Sequence, residues 1–134
     1  MPWTANITGD MTLSILDEDG FKVLGVDMLR MKTMQAGDGG ELLARTLNDL
    51  GLLAQAADAA DAKKLVLEDA SAGLSPLPWQ IEFQKRLRRV RVRDANDRLV
   101  GERTFPKGAG RETLASIART IMEAVKKVNV SGLG

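Results

Sequence analysis

One apolar stripe constrains this chain more than any other feature. Leu114, Ile117, Ala118, Ile121, Val125 and Val128 recur at helical spacing, with Arg111, Glu112, Ser116, Arg119, Glu123 and Lys126 around the rest of the turn. Glu112 in the first turn, and Lys126 and Lys127 in the last, suit the helix dipole. A helix with one apolar side must bury it against another element, and the strand-like patterns elsewhere in the chain supply that element.

Met11, Leu13 and Ile15 alternate with Thr12 and Ser14. The turn Asp17-Glu18-Asp19-Gly20 follows, then a β-rich run over residues 21–26, which together predict a hairpin. Residues 29–33 alternate as well and fit either a strand or a helix. Leu43, Leu47, Leu50 and Ala54 share one helical face, and this helix is expected to end within residues 60–63. Residues 65–67 read as a short buried strand. Residues 70–78 form a surface loop, because Pro76 and Pro78 cannot donate main-chain hydrogen bonds. Trp79, Ile81 and Phe83 alternate with polar residues, and so do Val90 and Val92. The apolar set moves from odd to even numbers between them, which calls for a bulge or bend near residues 85–89. A turn at Asp94-Ala95-Asn96-Asp97 returns the chain as a partner strand over 98–105.

These elements predict an α+β fold, an antiparallel sheet of about five strands with two helices packed on one face. Residues 1–134 read as a single globular domain. No internal repeat stands out.

The chain lacks Cys, His and Tyr. Disulfides, thiolate chemistry and the usual base near neutral pH are thereby removed, and no catalytic residue, metal site or cofactor is expected. Lys and Arg total 19 against 18 for Asp and Glu, so no global field steers the protein toward an anionic partner. Positive charge is concentrated locally, over residues 85–111. The first residues lack the pattern of a secretory signal, and no run is long enough to span a membrane. The expected location is cytoplasmic, or virion-associated for a phage protein, with no membrane partner.

Two basic stretches are the candidate sites. In the first, Arg86, Arg88, Arg89, Arg91 and Arg93 crowd residues 85–93. On a strand, Arg89, Arg91 and Arg93 project from one face about 7 Å apart, close to phosphate spacing along a nucleic-acid strand. The alternative is a solvated sheet face whose arginines pair with carboxylates on neighbouring strands. In the second, Lys107, Gly108, Gly110 and Arg111 precede the last helix, where free N–H groups favour an anion. With its hairpin, glycine loop and basic helix, the segment 89–127 resembles the end of a double-stranded-RNA-binding domain. That family carries adjacent lysines at the start of the helix, whereas this chain has Arg111-Glu112-Thr113, and the family is not assigned.

Asp17-Glu18-Asp19 and Asp94-Ala95-Asn96 lack the remaining ligands of a calcium loop and read as turns. The six methionines read as fillers of core gaps. The expected function is a non-catalytic protein-binding or assembly module, with a second copy of itself as partner, of the kind found in bacterial or phage structural components. The alternative is nucleic-acid binding through the basic strand 85–93 and the turn 107–111.

Overall fold

The computed structural model describes residues 3–7, 12–27, 39–59, 65–67, 69, 71–108 and 111–131, the side chains of 39–42 and 111–113 excepted. Six strands, β1 (Thr4–Ile7), β2 (Thr12–Leu16), β3 (Lys22–Asp27), β4 (Gln80–Gln84), β5 (Arg89–Arg93) and β6 (Leu99–Thr104), form one antiparallel sheet. Their order is β1-β2-β3-β6-β5-β4. Two 20-residue helices, α1 (Gly39–Asp58) and α2 (Arg111–Val130), pack against each other and on one face of that sheet. The α+β class holds, with the sheet one strand larger than expected.

Three differences in the strands have physical causes. Residues 85–88 are a reversal, not a bend, so the expected long strand is the hairpin β4–β5. In its register Phe83 faces Val90 and Ile81 faces Val92. Partners across a hairpin share a face, so the odd-to-even change marks the turn itself. Residues 65–67 are not a strand. The main chain of Val66 is satisfied by a side chain instead: Gln55 Nε2 donates to its carbonyl (2.8 Å), and its N–H donates to Gln55 Oε1 (3.1 Å). β1 escaped the sequence reading because four residues with one large apolar side chain carry little periodicity. Residues 28–34, where strand and helix were both open, lie outside the described residues, as do five of the methionines. Met122 is exposed on α2 and fills no core gap.

The chain is built twice on one plan, three strands and a helix, with β3 and β6 paired at the centre. The β2–β3 and β5–β6 turns match bond for bond. Asp17 Oδ1 accepts from the N–H groups of Asp19 and Phe21, both at 2.9 Å. Asp94 Oδ1 accepts from those of Asn96 (2.8 Å) and Arg98 (3.0 Å). Gly20 and Asp97 then take the positive φ that closes each turn, 83° and 62°. Each hairpin also carries one extra residue, Val23 in β3 and Val100 in β6, where the register shifts. Both valines are buried. The bulges put two consecutive residues on the helix side of the sheet, Val23 with Leu24 and Val100 with Gly101.

At the centre the plan is deliberately unequal. Leu24 and Gly101 occupy corresponding places and meet: a Cβ on Gly101 would stand 2.8 Å from Leu24 Cδ2. Two large residues would collide at this seam, and Leu against Gly fills it. Leu13, Ile15, Val26, Leu50, Val90, Val92, Ile121 and Val128 continue the core. α1 lacks a basic last turn of its own, and Lys127 of α2 supplies the cation, donating to the carbonyls of Ala56 (3.1 Å) and Ala59 (2.6 Å).

Candidate functional site

On the sheet face away from the helices, cross-strand partners line up into a polar row, Asn6, Ser14, Gly25, Glu102, Arg91 and Glu82, spanning all six strands. The arginines of β5 belong to this face, because Val90 and Val92 point the other way. Their guanidinium groups are held sideways by neighbours. Arg91 Nε lies 2.9 Å from Glu102 Oε2. Arg93 lies 3.5 Å from Glu82 Oε2 and 3.7 Å from Asp97 Oδ1, and donates to the Asp97 carbonyl. Arg89 Nε donates to Gln84 Oε1 at 2.7 Å. This is the arrangement of a charge-balanced sheet face, in which each partly exposed pair is worth up to about 1 kcal/mol.

The other basic residues fall elsewhere. Residues 85–88 form the β4–β5 turn, with Arg86 exposed and Arg88 at a φ of 50°. Arg88 Nη1 reaches the Pro106 carbonyl (3.4 Å), and the Phe105 N–H donates to the Arg88 carbonyl (2.8 Å). One corner of the sheet therefore gathers Arg86, Arg88, Lys107 and Gly108. Gly110 lies outside the described residues, and of Arg111 only the main chain, at the start of α2, is described. Of the nine expected residues, Arg89, Arg91 and Arg93 thus lie on a strand where each has a polar or acidic partner, and Arg86, Arg88, Lys107 and Gly108 lie at the corner. A further arginine, Arg103, sits on the helix side, 5.1 Å over the Phe105 ring, and donates to the Lys22 carbonyl.

No known protein family, curated protein or solved structure matches the chain.

Two features stand out that the sequence reading passed over. The first is the pair of sheet edges. Among the described residues no strand covers the outer side of β1 or of β4. At the β4 edge Phe83 is 39% exposed, and Leu87 in the adjoining turn is 54% exposed. Within β4 no Pro or Lys guards the edge.

The second feature is a cleft of about 410 Å³ lined by Trp3, Asp17, Glu18, Val23, Ala57, Asp58, Ser116, Ile117 and Thr120. It lies where the first turn faces the helices. In the second half the corresponding ground is filled. Ser75 is buried there, its N–H and hydroxyl both donated to Asp49 of α1 (3.0 and 2.5 Å). The Trp79 indole donates to the Ser75 carbonyl (3.1 Å), and Ala95 N–H donates to the Pro76 carbonyl (3.0 Å). Asn129 of α2 clamps the Trp79 main chain from both sides, at 2.7 and 2.9 Å. Burial pushes the Asp49 carboxyl up to about 6, against the Ser75 hydrogen bonds and Arg45, which pull it down. Both carboxylate oxygens are used on Ser75, so this acid holds a loop. Among the described residues no group of acids could hold a metal ion, and no helix is long and apolar enough to cross a membrane.

One signal for the doubled plan was legible. The chain has two tryptophans, and each follows a proline, Pro2-Trp3 and Pro78-Trp79.

Proposed function

We propose that the protein is a non-catalytic assembly module that associates with a second copy of itself through the β4 edge. The observation that carries this reading is the unguarded edge strand with Phe83 and Leu87 exposed beside it. Unpaired N–H and C=O groups along such an edge are a template for strand addition. An antiparallel pair centred on Phe83 suits a two-fold dimer. It sets Phe83 against its own copy and Glu82 against Gln84, with no like charges opposite.

Light scattering over a concentration series tests the reading. The expected result is a dimer whose fraction rises with concentration and which Phe83→Lys disperses while circular dichroism stays unchanged. A strict monomer at every concentration overturns it. Nucleic-acid binding is the weaker reading, because Arg89, Arg91 and Arg93 already have partners.

A further inference from the structure

The cleft beside Trp3 is the open counterpart of a site that the chain fills for itself in its second half, and the correspondence can be followed residue by residue. Trp3 and Trp79 each precede an edge strand. Glu18 and Ala95 follow the two turn aspartates. On the helices, the stripe Leu50, Leu53, Ala54 of α1 matches Ile121, Ala124, Val125 of α2, all buried. That alignment sets Thr120 where α1 has Asp49, and Asp58 where α2 has Asn129.

In the filled site the occupant is an extended Ser-Pro segment. It is read by three groups: the carboxylate of Asp49, the indole N–H of Trp79 and the main-chain N–H of Ala95. Trp3 and Glu18 line the open cleft at the places that Trp79 and Ala95 take in the filled one. Among the described residues neither the Trp3 indole N–H nor the Glu18 main-chain N–H has a hydrogen-bond partner. The third reader differs. Thr120 turns its hydroxyl back to the Ser116 carbonyl (3.0 Å), and the negative charge sits instead on Asp17, Glu18 and Asp58 around the rim.

We infer that the cleft binds an extended Ser-Pro peptide segment of a partner protein, one that carries a lysine or arginine two residues before the serine. The peptide carbonyls accept from Trp3 and Glu18, as those of Ser75 and Pro76 accept from Trp79 and Ala95. The basic residue answers Glu18 and Asp58, where the filled site has the uncharged Ala95 and Asn129. This inference stands apart from the β4 edge, which lies outside the cleft lining.

The test uses the full chain, uniformly ¹⁵N-labelled, and two synthetic hexapeptides: Lys-Leu-Ser-Pro-Leu-Pro, patterned on residues 73–78, and the same peptide with Glu in place of Lys. The two tryptophan indoles give separate NMR signals, assigned with Trp3→Phe. The lysine peptide is expected to shift the Trp3 indole and the amides of Glu18, Ile117 and Thr120 saturably, leaving the Trp79 indole in place. The glutamate peptide should bind roughly threefold or more weakly, as one exposed charge pair allows. Thr120→Asp, which restores the Asp49 arrangement, should tighten binding by about threefold or more through a charge-assisted hydrogen bond to the peptide serine. Thr120→Trp, with Ser116→Trp as a second filler, should abolish it, the unmoved Trp79 signal reporting an intact fold. Absence of saturable shifts at Trp3, or shifts that survive both fillers, overturns the inference. Neither outcome bears on dimerisation.

Discussion

Trp79 and Trp3 begin the edge strands of two halves built on one plan, yet they live differently. Trp79 is 2% exposed, its indole tied to Ser75 and its main chain clamped by Asn129. Trp3 is half-buried on the wall of an open cleft. The turns and bulges beside them match closely, so the difference does not come from the strands. It comes from what crosses the helix ends. In the second half the chain arriving from α1 lays residues 73–78 over α1, where Asn48 also grips the carbonyls of Asp69 and Gly73, both at 2.7 Å. A repeated scaffold can thus hold one site as structure and leave its twin as surface.

The largest effect expected from this comparison is the unequal cost of losing the two tryptophans. Trp79→Ala should destabilise the fold by about 3–5 kcal/mol, the usual cost of emptying a buried aromatic site. Trp3→Ala should cost less, about 2 kcal/mol, since its ring is only partly buried at the margin of the core. Urea unfolding of both variants measures this, and equal losses would break the comparison.

Next comes Asp49, the acid that distinguishes the filled site from the open one. Its carboxyl titrates at about 6 in the fold, above the ordinary carboxylate value of 3.8, because burial disfavours the charge. A raised folded value means that ionisation is harder in the native state than in the unfolded chain. The contribution of this group to stability is therefore fullest below pH 3.8 and declines as pH rises to about 6. Each pH unit of difference corresponds to about 1.4 kcal/mol, so the decline amounts to about 3 kcal/mol. Asp49→Asn should remove that part of the pH dependence while retaining a hydrogen bond from Ser75. Urea midpoints between pH 4 and 7.5 check it, and an unchanged slope would show that the buried acid is not the source.

The smallest effect lies at the seam of the halves. Gly101→Ala should cost about 1–3 kcal/mol by overpacking against Leu24, and far less in a Leu24→Ala background. A double-mutant cycle with no coupling would show that the seam tolerates equal residues and that its Leu–Gly asymmetry has no steric basis.

Much of the local structure was legible in the residues. Asp17 and Asp94 announced their turns, because an aspartate that bonds main-chain N–H groups two and four residues ahead acts within one short segment. The α2 stripe announced a helix for the same reason, its period being local. The candidate site was legible only as composition. The spacing of Arg89, Arg91 and Arg93 revealed a shared face, while Glu102, Glu82 and Gln84, which hold them, could be placed beside them only by the register of three strands.

By itself, then, the sequence determined where the chain turns, which helix face is apolar, and that chemistry based on histidine, cysteine or tyrosine is absent. The tertiary structure alone decided that residues 85–88 reverse the chain, that Val66 is satisfied by Gln55 and not by a strand, and that one of two twin clefts stays open. Each of these depends on which polar groups meet across the fold. A main-chain N–H or carbonyl accepts whichever partner the packed elements bring within reach, and that choice carries no period along the chain.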